Sequence, residues 1–175
     1  MKRSFTNRMP CLGDIEASGL APESYPIEIA WSLPSGEIRS CLIQIHPSWG
    51  DYWDPVAEAM HHISRERLRA EGLPAAEVAE QLNRVLAGEK VYFDGGGYDQ
   101  HWLGRLFQVA GMKPSFNFRD FDSLLALAGV RNTSRQEAAA ARAYQDIGDL
   151  PRHRAANDVK FLQRWYIRAR GGMRY

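Results

Sequence analysis

Six side chains with chemistry to offer are spread over nearly the whole chain. Asp14 and Glu16 stand in "CLGDIEASGL", Asp94 and Asp99 in "VYFDGGGYDQHWL", and His153 and Asp158 in "LPRHRAANDVKFL". Residues two apart on a strand point to one face, about 6–7 Å apart along the chain, so Asp14 and Glu16 share a face. Two like charges in an otherwise apolar strand repel and lose hydration, and something cationic must offset them. A divalent metal, a salt-bridge partner and solvation at an edge strand all satisfy that need. For D-x-E alone, the last two are the commoner outcomes.

The other two segments narrow the choice. "KVYF" reads as a short strand, so Asp94 falls at its C-terminal end, while three glycines separate it from Asp99 at a helix start. Strand ends and helix N-termini are where α/β proteins assemble polar sites. The glycine run matches neither the dinucleotide-binding nor the P-loop pattern, and a plain turn with Asp99 as a cap is the simpler alternative. Five positions on a helix rotate by roughly 140°, so His153 and Asp158 converge only if His153 precedes the first turn. Pro151 and Arg152 upstream suit such a lead-in.

The elements that must carry these groups follow from the hydrophobic pattern. "CLGDIEA", "PIEIAWSL" and "EIRSCLIQIHP" read as three strands, with "PSG" turning the second into the third, which makes an antiparallel meander. Helices follow over "SRERLRAEG" and "PAAEVAEQLNRVLAG", the latter with Val78, Leu82, Val85 and Leu86 on one stripe and Gly88 past its end. After "KVYF" comes a helix over "QHWLGRLFQVAG". Another helix opens on the capping box Ser134-x-x-Glu137, and a terminal helix lies over "AANDVKFLQRWYIRAR". The order is that of an α/β sandwich with a mixed sheet.

Bulk properties set the outer limits. The 175 residues are 45% hydrophobic, 11% aromatic and 25% charged, an ordinary globular composition for one domain. A net charge of +1 gives no global attraction to a polyanion, so nucleic acid would need a local patch or metal ions. Two cysteines, Cys11 and Cys41, make no disulfide framework, and a reducing cytoplasm is the expectation. The basic N-terminus lacks the apolar core of a signal peptide, and no run approaches the roughly 18–20 apolar residues of a membrane span.

Together, Asp14-x-Glu16, Asp99 behind a strand and turn, and His153-x4-Asp158 resemble the DEDDh family of 3′–5′ exonucleases, which includes polymerase proofreading subunits, RNase T and oligoribonuclease. "DPVAEAMHHISRERL" is similar to that family's A-x-x-x-H-G-I-(S/T)-x-E-x-L segment through His61, Ile63, Ser64, Glu66 and Leu68. The likeness runs from about residue 10 to about residue 166. Three departures stand out. "DGGGYD" replaces H-N-A-x-F-D, making Asp99 the matching acid and putting Asp94 where the family has His. His62 takes the place of the glycine in H-G-I, and Ala17 that of a hydroxyl residue.

The resemblance implies a ribonuclease H-like fold with a mixed five-stranded sheet flanked by helices, formed as one domain over residues 1–175 with basic, mobile ends. It implies two divalent cations, Mg²⁺ or Mn²⁺, held by Asp14, Glu16, Asp99 and Asp158, with His153 as general base. It places the terminal nucleotide against Ile15, Ala17, Ser18, Gly19, Leu20, His61 and Ile63. The expected substrate is the 3′ end of single-stranded DNA or RNA, without a membrane partner, and a homodimer is expected by analogy. Cleavage of very short oligonucleotides or nucleotide-like molecules is one alternative, and a non-catalytic binding module is another. Of the remaining aromatics, Tyr25, Trp31, Trp49, Tyr52 and Trp53 are candidates either for base stacking or for the core. The arginine-rich tail could contact phosphates or simply end a helix.

Overall fold

The computed structural model describes residues 8–171; the ends expected to be mobile lie largely outside this range. Five strands order as β3-β2-β1-β4-β5. They are β1 Cys11–Ala17, β2 Pro26–Ser32, β3 Ile38–Leu42, β4 Lys90–Phe93 and β5 Asn117–Asp120. β1, β2 and β3 pair antiparallel, as the meander requires, whereas β4 joins β1 in parallel and β5 joins β4 in parallel. The helices are α1 Pro55–His61, α2 Arg65–Glu71, α3 Ala75–Val85, α4 Gly97–Val109, α5 Phe121–Leu127, α6 Thr133–Ile147 and α7 Ala155–Ala169.

Alternation along β1 divides the core in two. Cys11, Ile15 and Ala17 face a layer that includes Val78 and Leu82 of α3 and Trp102 and Leu106 of α4. Leu12 faces the opposite layer, with Phe121 and Leu125 of α5, Ala139 and Ala143 of α6, and Val159 and Leu162 of α7. Each fully buried Leu or Phe contributes about 1.5–3 kcal/mol relative to exposure, so both layers are real cores. The pleat therefore puts Asp14 and Glu16 on the α7 side.

Gly13 brings β4 close to β1. It lies opposite Phe93 in the parallel ladder, and a Cβ there would stand 2.3 Å from the Phe93 ring. That ring stacks on Phe118 of β5 at 4.9 Å. The chain then leaves β4 at Asp94, one position beyond the register partner of Gly13.

Local differences from the sequence expectation have physical causes. The third strand stops at Leu42: the Ile43 amide still donates to the Ile27 carbonyl at 2.8 Å, but Ile43 also bridges Leu73, and Pro47 then opens a single 3₁₀ turn. α4 begins at Gly97, three residues early, with the glycine run supplying its first turn. The Ser134 capping box does not form; Asn132 caps α6 instead, its Oδ1 accepting from the Arg135 amide at 3.0 Å. "PVAEAMH" forms α1, capped by Asp54, whose Oδ1 accepts from the Val56 amide at 2.8 Å. No helix among the described residues is long and apolar enough to cross a membrane.

Candidate active site

Three elements deliver carboxylates to one cleft of about 610 Å³. Asp14 and Glu16 come from β1, Asp99 from the first turn of α4 and Asp158 from the first turn of α7. Asp94, at the end of β4, lines the same cleft.

Asp99 is 1% exposed, and the Gly95 amide donates to its Oδ2 at 2.8 Å. Gly95 is needed for this contact, since a Cβ on it would lie 2.5 Å from the same oxygen. α4 is strapped to the loop after β1, with the Trp102 indole N–H donating to Ser24 Oγ at 2.8 Å and Arg105 donating to the Glu23 carbonyl at 2.7 Å. Asp99 is thus tethered both by its own turn and through the helix that carries it.

His153 lies before Arg154, the N-cap of α7, with φ of 57°. This left-handed backbone costs a non-glycine residue about 1–2 kcal/mol. It turns the imidazole back over the helix start, where ligand atoms of Glu16, His153 and Asp158 all lie within 4.8 Å of one another. Beside them the Arg152 Nε donates to Asp158 Oδ1 at 3.1 Å. The Arg152 guanidinium sits 4.6 Å above the Tyr144 ring, which itself stacks on Phe161 at 4.2 Å.

The electrostatics are those of a cluster short of positive charge. Burial raises the Asp14 carboxyl well above the usual carboxylate range, and Asp99, Glu16 and Asp158 push it further. Burial, followed by Asp158 and Glu28, pushes Glu16 up to about 8. Asp99 rises to about 7, chiefly through burial, against the opposing pull of the Gly95 amide. Burial together with Asp122 raises Asp94. Hard oxygen donors crowded in this way suit Mg²⁺, Mn²⁺ or Ca²⁺, and the residues present fit such cations.

The expected substrate wall is brought together in part. Ile15, Ala17, Gly19, Leu20 and His61 line the cleft. Leu20 is 64% exposed, while His61 is buried and accepts from the Ile63 amide at its Nδ1 (3.0 Å). The neutral His61 ring, favoured by burial, therefore carries its proton on Nε2. Ser18 and Ile63 lie behind the wall. The Ser18 hydroxyl accepts from the Tyr25 amide at 3.1 Å, and Ile63 is fully buried.

Among the candidate stacking aromatics, Tyr25, Trp31 and Trp49 belong to the core, where Tyr25 stacks on Trp49 at 5.3 Å. Tyr52 packs beside Gly19, and Trp53 meets His61 edge-on. The cleft takes its aromatic lining from Tyr98, Trp102, Tyr144, Phe161 and Trp165 instead. A sequence signal for two of these existed, because Asp158, Phe161 and Trp165 follow one helical stripe at i, i+3 and i+7. In the tail, Arg168 pairs with Asp146 at 2.5 Å and Arg170 sits over Tyr166; Arg174 lies outside the described residues.

No family model matches the chain, and no curated protein matches it significantly. Solved structures of exonuclease I do match. The complex of E. coli exonuclease I with a dA16 oligonucleotide has a TM-score of 0.69 at 17% identity, over 92% of this chain and 41% of that one. Its zinc-bound complex with single-stranded DNA has a TM-score of 0.66 at 15% identity, over 93% and 41%. A product-bound exonuclease I has a TM-score of 0.64 at 15% identity, over 90% and 42%. The chain thus spans about two fifths of the length of these proteins. At such identities the likeness establishes the fold, an α/β architecture of the ribonuclease H-like type.

Proposed function

We propose that the chain is a metal-dependent 3′–5′ exonuclease that hydrolyses phosphodiester bonds at the 3′ end of single-stranded nucleic acid. The observation that carries this reading is the convergence of Asp14, Glu16, Asp99 and Asp158, from three separate elements, on one cleft that also holds His153. The exonuclease I neighbours, solved with single-stranded oligonucleotides, support it at the level of the fold.

Asp14, Glu16, Asp99 and Asp158 would hold two divalent cations, Mg²⁺ or Mn²⁺. Such a pair, when bound, polarises the phosphate and neutralises charge on the leaving oxygen. The carboxylates bind these ions by giving up the protons that burial and mutual repulsion favour on Asp14, Glu16 and Asp99. His153 takes the proton of the attacking water, since a neutral imidazole is a competent proton acceptor and its lead-in position leaves the ring at the cleft edge. Ile15, Ala17, Gly19, Leu20 and His61 seat the terminal nucleotide. Ser18 and Ile63 support the wall from behind. The bound cations account for how a chain of net charge +1 accepts a polyanion.

The test is incubation of the purified protein with Mn²⁺ and 5′-labelled single-stranded DNA, RNA and dinucleotides. A ladder shortening from the 3′ end is expected, and EDTA should abolish it. Cleavage confined to dinucleotides would replace this reading with a short-oligonucleotide hydrolase. Binding without products, unaffected by EDTA, would replace it with a non-catalytic module.

A further inference from the structure

Glu28 is a buried acid that the proposed chemistry does not use. It is 3% exposed on β2, as the direct register partner of Glu16. Its Oε1 accepts from Arg154 Nη2 at 2.8 Å, and its Oε2 accepts from both Arg154 Nε at 3.1 Å and the Ala155 amide at 3.0 Å. A bidentate guanidinium–carboxylate pair fixes direction as well as distance. Ala155 is the first residue of α7, and its amide is one of those a helix start leaves without an intrahelical partner. The N-cap residue, Arg154, offers no side-chain cap of its own, so a strand 126 residues away in sequence does that work.

The consequence falls on His153. It directly precedes Arg154 and holds a left-handed backbone that nothing in its own sequence demands. On its other side Arg152 is bonded to Asp158. Fixing Arg154 and the Ala155 amide to β2 locks the end of the lead-in against the sheet, on the strand beside Glu16. We propose that Glu28, acting through Arg154, is the positioning residue that sets His153 over Glu16 and Asp158. Buried ion pairs contribute little net stability relative to apolar packing, so orientation is the role such a pair is suited to fill. The catalytic consequence rests on the exonuclease reading; the geometric one does not.

Two isosteric or near-isosteric variants, Glu28→Gln and Arg154→Lys, test this. The side-chain ¹H–¹⁵N spectrum of histidine-labelled protein contains five rings, and His153→Ala identifies the His153 signals by their loss. In either variant the His153 signals are expected to move or broaden, while those of His46 and His101 stay in place. In the Mn²⁺ assay each variant should lower kcat about 10–100-fold with KM little changed, and neither should cause further loss in a His153→Ala background. Unchanged His153 signals in both folded variants, or losses that add fully to that of His153→Ala, overturn the positioning role. A wild-type protein that releases no nucleotides overturns the exonuclease reading instead, and the ring spectra still decide the geometry.

Discussion

Glu16 and Glu28 face each other across the β1–β2 ladder, and Arg154 binds Glu28. Side chains opposite one another on antiparallel strands lie on one face, so the two acids share one environment. Arg154 pulls the Glu16 carboxyl down only as a lesser influence, outweighed by burial, Asp158, Glu28 and Asp99. Glu28 is a satisfied structural acid, whereas Glu16 is left to find its counter-charge in the cleft.

That imbalance predicts how stability depends on pH. Glu16 and Asp99 hold protons up to about 8 and about 7 in the folded chain, against ordinary values of 4.5 and 3.8. Their folded values are raised, so the stability they confer is complete below about pH 4 and is lost as pH rises through 7–8. In EDTA, Tm should fall by more than about 4 °C between pH 5 and pH 9. Excess Mg²⁺ should remove most of that fall, because the cation takes the place of the protons. Thermal melts at both pH values check this, and a flat or rising Tm in EDTA contradicts it.

Asp14→Asn and Asp158→Asn separate function from folding. Asp14→Asn replaces an acid that burial and repulsion already keep protonated without metal, so metal-free Tm should hold, whereas Asp158→Asn gives up the Arg152 pair and should cost about 0–1 kcal/mol; in each, 3′ mononucleotide release should drop by roughly 10³-fold or more. Gel assays beside melts are sufficient. Full activity in either variant sinks the proposed site.

His153→Ala should lower kcat by about 10²–10⁴-fold, the range of a lost general base, with Mn²⁺ affinity little altered. Calorimetric titration of Mn²⁺ makes the distinction. A collapse of affinity would make His153 a ligand, a role its closeness to Glu16 and Asp158 also permits.

The three glycines before Asp99 should behave unequally. Gly95→Ala drives a methyl into the Asp99 carboxylate and should reduce kcat and Mg²⁺ affinity by about 10-fold. Gly97→Ala meets open space at the first position of α4 and should leave activity intact, with a gain of about 0.5–1 kcal/mol in stability. Equal losses in the two variants would mean that the loop matters through its flexibility and not through the Gly95–Asp99 contact.

Local patterning was enough to set the periodic elements and the acids they carry. The alternation in "CLGDIEA" placed Asp14 and Glu16 on one face, and the stripes of α3 and α7 assigned their buried sides, because these depend only on the local repeat of strand and helix. The rotation angle set a condition, that His153 meets Asp158 only from the lead-in, and the structure meets it by starting α7 at Ala155. What the local repeat could not carry was anything set by distant chain. The capping of α7 by Glu28, the seating of Gly13 against Phe93, and the burial of Tyr25, Trp31 and Trp49 join residues far apart in sequence. The aromatic lining of the cleft likewise exists only where α4, α6 and α7 meet the end of β1. Which acid meets a cation and which meets an arginine is decided by packing across the sheet, and packing is a property of the closed tertiary structure.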